Sequence, residues 1–204
     1  MNIFVLDLNA ATAARYHCDK HVRKMVIESA QMLTCAYYFG SGIKTNKELD
    51  ARRADIDAIF KGFPRVDADG RPNPYRISHP NHPCTIWTSA SANNFSWHRL
   101  LAIALAAEYR LRWGKEHAVE PILKWMLNND PSGITGFELT PFPQAMPNCF
   151  RGPDPVQAYR RLYHWKASVF SVAWKAPRAI PEWFSFDRVQ AAKSTYELHL
   201  GNTP

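Results

Sequence analysis

Apolar residues recur at three- and four-residue steps through much of the 204-residue chain, the rhythm of amphipathic helices. Val22, Met25, Val26, Ser29, Met32, Leu33 and Ala36 carry it through a predicted helix over residues 10–38, which Gly40 and Gly42 end. Residues 44–61 are charge-dense, with Leu49, Ile56, Ile59 and Phe60 on one side, and predict a short surface helix. A second long helix is expected from Cys84 to Trp113. Its buried stripe reads as Ile86, Ala90, Trp97, Leu100, Leu101, Ala104, Leu105 and Leu111, and Gly114 closes it. Pro121 opens a further helix through Leu127. Asp154-Pro155-Val156-Gln157 supplies an N-cap, a first-turn proline and a capping-box glutamine for a helix to about Val172.

Two stretches interrupt the helices. Residues 62–83 hold five prolines and two glycines, and residues 130–153 include TPFPQAMP. Ordered loops of that length in compact domains tend to carry function. Residues 2–6 (NIFVL) suit a lone strand or an extended lead-in, and little pattern follows Phe186. The expectation is a mainly α, compact single-domain fold with two Pro-rich loops and at most a short N-terminal strand. Its domain spans residues 1–186, with 43–74 as a variable insertion and 187–204 as a C-terminal tail.

Composition narrows the class. Hydrophobic residues at 46% and charged residues at 21% give a globular balance, which excludes disorder, collagen-like repeats and a coiled coil. The longest uncharged apolar run, Leu100 to Ala107, is too short to cross a bilayer. The opening MNIFVLD lacks the basic and long apolar regions of an export signal, so a cytoplasmic protein without membrane contact is expected. Cys18, Cys35, Cys84 and Cys149 include no C-x-x-C pair and read as reduced thiols. Lys and Arg number 25 against 18 Asp and Glu, a formal charge of +7 that favours DNA as partner. No obligate protein partner is implied.

The chemistry concentrates on the first long helix. His17, His21, Lys24, Glu28, Gln31 and Cys35 share one face beside the apolar stripe, with Asp19 and Lys20 just off the line. Titratable groups clustered against apolar surface suit an active site, while Lys24 and Glu28 alone would make an ordinary i,i+4 ion pair. A second concentration is His79-Pro80-Asn81-His82-Pro83-Cys84 with Trp87, followed by Asn93, Trp97 and His98. Asn and His side chains can read a base edge. The two tryptophans fit base stacking or plain packing. A third is the run Tyr159 to Lys166, continuing to Trp174 and Lys175, where Arg160, Arg161, Lys166 and Lys175 would grip phosphates or simply edge an amphipathic helix.

Metal and cofactor signals are weak. His17, His21, His79, His82 and Cys84 could form a coordination sphere, yet no H-E-x-x-H, cysteine pair or deaminase signature is present, and no metal or cofactor is assigned. Walker A, G-x-G-x-x-G and G-x-S-x-G patterns are lacking too, which argues against triphosphate hydrolysis, dinucleotide redox chemistry and serine hydrolysis.

The strings YHCDKHVRKMVIESAQML, NHPCTIW, TPFPQAMP and DPVQAYRRLY…WK…IPEWF resemble an uncharacterised family of phage and bacterial proteins. That family is distantly similar to the pyrimidine-dimer DNA glycosylases through Asp19-Lys20…Glu28…Gln31 and Asn81-His82-Pro83…Trp87. The resemblance implies a helical DNA-binding fold that excises a damaged or modified pyrimidine. In the dimer-specific enzymes an N-terminal α-amine attacks the sugar and a helix glutamate assists, and Glu28 matches that glutamate. Asn2 is too bulky for efficient removal of Met1, so the family's amine does not carry over directly; Lys20, Lys24 or an activated water would replace it. On this reading Glu28, Asp19, Lys20 and Lys24 form the catalytic set. His21, Gln31, His82, Trp87, Asn93 and Trp97 hold the base. The alternatives are transfer of an amino acid or amine onto an activated thymine in phage DNA, with Asp19 steering the amine, and a non-catalytic DNA-binding protein.

Overall fold

The computed structural model describes residues 1–201, so positions 202–204 of the expected tail lie outside the described residues. Among them nine α-helices and one 3-10 turn make up a mainly helical architecture, and no sheet forms. An isolated bridge between Val66 and Pro72 is the extent of strand pairing among the described residues. No helix of the described residues is long and apolar enough to cross a membrane.

The first predicted helix is two helices, α1 (Ala10–Tyr16) and α2 (Asp19–Gly40). The break at His17 and Cys18 is held by tertiary hydrogen bonds that periodicity does not register. Tyr163 Oη accepts from Cys18 N at 2.9 Å, and Arg112 donates to the carbonyls of His17 at 2.8 Å and Arg15 at 3.1 Å. The predicted surface helix likewise divides at Arg52 into α3 (Asn46–Ala51), with a Thr45–Glu48 capping box, and α4 (Arg53–Ile59).

The second long helix breaks at Ser91 into α5 (Pro83–Ala90) and α6 (Ala92–Trp113). Ser91 is extended and its hydroxyl caps Asn94 N at 3.1 Å, while Ala92 N donates to Gly136 O at 2.6 Å. That break rephases the buried face. Asn94, Trp97, His98, Leu101, Leu105, Glu108 and Arg112 point inward, whereas the expected core residues Ile86, Leu100 and Leu111 are exposed.

α7 (Glu120–Leu127) follows, and α8 (Pro155–Val169) starts where Asp154 accepts from Val156 N and Gln157 N. The stretch read as a patternless tail contains α9 (Asp187–Gly201), which packs along α8. Its apolar positions do not fall on one stripe, so no helical rhythm announces it. Residues 2–6 form no strand. Asn2 Oδ1 instead accepts from Ile3 N at 2.8 Å and Phe4 N at 3.2 Å, and Phe4 takes a left-handed φ of 39°.

The core is one contiguous cluster centred on α2 and α6, with α1, α5 and α8 around it. Gly40 and Gly133 bring two backbones together, where a Cβ on Gly40 would collide with the Ser132 carbonyl and one on Gly133 with the Gly40 carbonyl. Both Pro-rich loops lie against this frame. Tyr38 Oη donates to Tyr75 O at 2.8 Å in the first, and Tyr159 Oη to Pro143 O at 2.7 Å in the second.

Candidate active site

Part of the polar stripe of α2, His21, Lys24 and Glu28, faces a cleft of about 290 Å³. Met1, Asn2 and Phe4 line it from the N-terminal segment, and His21, Lys24, Met25 and Glu28 from α2. Ala145, Met146 and Pro147 of the second Pro-rich loop add a wall, as do Leu162, Trp165 and Lys166 of α8. Three distant stretches of sequence thus meet at one carboxylate.

Asn2 positions the N-terminal segment. Its amide is buried, donates from Nδ2 to Ala145 O at 2.9 Å, and accepts from the two following backbone N–H groups. The Pro-rich wall is itself clasped by Gln144, which donates to Gly152 O at 2.6 Å and accepts from Gly152 N at 2.9 Å. With both sides fixed, the Met1 nitrogen stands 3.7 Å from Glu28 Oε2. Lys24 Nζ lies 3.3 Å from Glu28 Oε1. The glutamate side chain is only 13% exposed, so this carboxylate is sheltered and bordered by cations.

Lys166 was expected on the phosphate-gripping surface, and the structure places it in this cleft. Burial pushes its proton affinity down, Lys24 adds to that, and Glu28 opposes it. His21 stacks on Phe4 with ring centroids 4.4 Å apart and is 2.7 Å from Tyr163 Oη. Burial, then the charges of His17, Lys166, Lys24 and Lys20, holds its pKa down to about 2, so His21 is a neutral ring here. His82 caps α5 by accepting from Cys84 N at 3.2 Å. Its pKa is lowered by burial and by the Met1 nitrogen and His79, against Glu28 and a hydrogen bond to the Met1 backbone, which tie it to the same neighbourhood.

The remaining expected residues divide. Gln31 sits one turn beyond Glu28 on α2 and is half-buried. Lys20 is exposed, with its ammonium 4.4 Å from the centre of the Phe170 ring, and Phe170 packs edge-on to His21. Lys175 is exposed, and its backbone N–H donates to Asp19 Oδ1 at 3.1 Å.

Asp19 does not stand with Glu28. Nine helical residues separate them by about 13 Å along the axis, and the Asp19 carboxylate accepts from the buried Arg112 at 3.1 Å. Trp87 and Trp97 belong to the core. Their indoles donate to Thr140 O at 3.2 Å and Leu8 O at 2.7 Å, and both rings pack on Phe142. Asn93 faces outward on α6. Its neighbour Asn94 is the buried one, bonded to Trp87 O and to both the hydroxyl and N–H of Thr140. Arg160 is occupied by Leu6 O at 3.1 Å and Asp7 at 3.7 Å, and Arg161 by Phe150 O at 2.9 Å. These two arginines brace the fold on a different side of α8 from Lys166.

Sequence reasoning sets the N-terminal amine aside because Asn2 hinders removal of Met1, whereas the structure brings the Met1 nitrogen itself to Glu28. Trp165 is expected there only within the basic, aromatic run of α8, and residues 145–147 only as part of a Pro-rich loop; both line the cleft. His17 and His21 do not gather with His79, His82 or Cys84, and no cluster of three or more His, Cys, Asp or Glu side chains suited to a metal occurs among the described residues. Comparison with protein-family models, characterised proteins and solved structures gives no match, so the cleft is read from its own geometry.

Proposed function

We propose that this chain is a DNA glycosylase-like enzyme that turns a damaged or chemically modified pyrimidine out of DNA and excises it. The observation that supports the reading is the sheltered Glu28 carboxylate with a backbone amine 3.7 Å away and Lys24 at 3.3 Å. That grouping is what attack on a sugar carbon requires: a nitrogen nucleophile, and an acid whose charge steadies the cationic sugar as the base departs.

The step is as follows. A neutral amine of the cleft bonds to C1′ of the extruded nucleotide while the C1′–N1 bond breaks. The bonding pair leaves with the base, which takes up a proton. Glu28 accepts a proton from the attacking nitrogen as the sugar opens to an imine. Water then hydrolyses the imine, restoring the amine and leaving an abasic site. The net reaction is DNA plus water giving abasic DNA and free base. Met1 and Lys24 are the nitrogens paired with Glu28, and Lys166 lines the same cleft.

Lys24, Lys166, Lys20 and Lys175 supply the positive charge for the flanking phosphates. Trp165 is the ring in the cleft that suits stacking against a flipped base, in place of Trp87 and Trp97. Gln31, one turn beyond Glu28, and His82 would read its edge from the border of the cleft. The transferase reading gains no support, because Asp19, its proposed amine-steering acid, is committed to Arg112.

The test is incubation of the purified chain with plain DNA, ultraviolet-irradiated DNA and phage DNAs of differing base modification, with released bases read by mass spectrometry. A free base together with abasic sites supports the proposal and identifies the substrate. Salt-sensitive binding with every nucleoside intact would replace it with a passive DNA binder.

A further inference from the structure

Apart from the Glu28 cleft, α8 lines a second cavity. Where Leu162, Trp165 and Lys166 look into the cleft, Gln157, Arg160, Arg161 and His164 line a separate cavity of about 240 Å³ closed by α9. Trp183 supplies an aromatic wall, Phe150 lines it while almost wholly buried, and Arg188 and Thr195 of α9 complete it. No carboxylate is among its lining residues.

Three arginines therefore line one small space, and among the described residues only Arg160 has an acid partner, Asp7 at 3.7 Å; the charge of the other two favours entry of an anion. Their commitments differ. Arg160 is tied to Leu6 O and Asp7 and lies over the Trp183 ring at 5.2 Å. Arg161 uses Nη2 on Phe150 O and, more loosely, Arg151 O, and among the described residues its Nε and Nη1 make no hydrogen bond. Arg188 makes no side-chain hydrogen bond or ion pair among the described residues. The two arginines with spare donors sit on facing helices, α8 and α9, and a planar guanidinium pairs with a phosphate through two parallel N–H donors.

We infer that this cavity binds a phosphate group joined to a flat ring, the chemistry of a pyrimidine nucleotide. The phosphate would lie between Arg161 and Arg188, the ring against Trp183, and Gln157 and Thr195 offer the amide and hydroxyl for its edge. The volume lies under the range of roughly 300–1,000 Å³ typical of larger ligands, which limits the occupant to one nucleotide. Such a ligand could be free in solution or stand at the phosphorylated end of a DNA strand. The inference does not depend on excision at Glu28.

Calorimetric titration of the full chain tests it with thymidine 5′-monophosphate, thymidine and inorganic phosphate. The monophosphate is expected to bind at least tenfold more tightly than either fragment. Arg188→Glu is expected to weaken that binding at least tenfold, and Lys193→Glu, a charge-matched change on the same helix but outside the cavity, to alter it less than twofold. Arg188 is exposed, and circular dichroism checks that each variant is folded. Lys24→Glu, which reverses a cation that the cleft would use on phosphate, should leave the titration unchanged, which separates this site from the cleft. Tighter binding of a 5′-phosphorylated oligonucleotide than of the monophosphate assigns the ligand to a strand end, and the reverse order to free nucleotide. Equal weak binding of all three small ligands, or equal loss in Arg188→Glu and Lys193→Glu, would overturn the inference in favour of a diffuse positive field.

Discussion

The Glu28 carboxylate and the Met1 nitrogen stand 3.7 Å apart, and the contact depends on Asn2 rather than on either partner. Asn2 turns the backbone by accepting from Ile3 N and Phe4 N, and anchors that turn to the second Pro-rich loop through Ala145 O. Phe4, in its left-handed conformation, then stacks on His21 at the cleft floor. Backbone strain held by surrounding contacts is a recurrent feature of functional sites.

Asn2→Ala is accordingly expected to disturb both stability and the site. It leaves two backbone donors and the Ala145 carbonyl without their partner, at a cost of about 1–3 kcal/mol. Base release should fall while DNA binding changes little. A variant with unchanged thermal midpoint and unchanged turnover would show that the turn does not position the cleft.

Arg112 should matter to folding and not directly to chemistry. Its side chain is fully buried, pairs with Glu108 at 2.9 Å and Asp19 at 3.1 Å, and holds the break between α1 and α2 through two carbonyls. Removing one member of such a network costs roughly 3–5 kcal/mol. Arg112→Met is expected to lower the thermal midpoint by about 10 °C, and Arg112→Lys to recover only part of that, since an ammonium cannot reproduce the fork. A melting curve that matches the parent for Arg112→Met would contradict this role.

Acid should destabilise the fold through histidines buried in the neutral form. Burial holds His17 at a pKa of about 4, His98 at about 3 and His21 at about 2. In the unfolded chain these rings take up protons near pH 6.5 while the folded protein does not. Stability is therefore complete above that pH and declines as pH falls below it toward the folded values. Each histidine contributes about 2 kcal/mol of loss by pH 5. Chemical denaturation at pH 7.5, 6 and 5 measures the trend, and His98→Gln should flatten its slope by about one proton. A midpoint that is constant over this range would contradict the neutral-histidine assignment.

An amine nucleophile leaves a chemical trace. Borohydride added during turnover should reduce the imine and fix the protein to DNA, and peptide mapping should place the adduct on Met1, Lys24 or Lys166. Excision with no trapped adduct would move the chemistry to water activated by Glu28.

The helical class and the α2 stripe were legible because periodicity reports local amphipathicity, and Lys24, Glu28 and His21 do share one cleft. The helix breaks were not, since Tyr163 and Arg112 cap the 17–18 break from far away in sequence. Missing the break at Ser91 shifted the phase of α6, which is why Leu100 was assigned to the core in place of His98. Lys166 read as a surface cation because the chain carries no sign of which face of α8 meets α2. α9 escaped notice for a related reason: its contacts with α8 use scattered positions such as Ala192 and Tyr196.

The most direct test of the central claim compares the parent chain with Glu28→Gln on whichever DNA releases a base. The substitution keeps shape and removes the charge that steadies the sugar. Base release is predicted to fall at least a hundredfold with DNA affinity within about threefold, because the lost carboxylate repels rather than binds phosphate. Turnover by Glu28→Gln equal to the parent, or loss of binding in step with loss of turnover, would contradict the account.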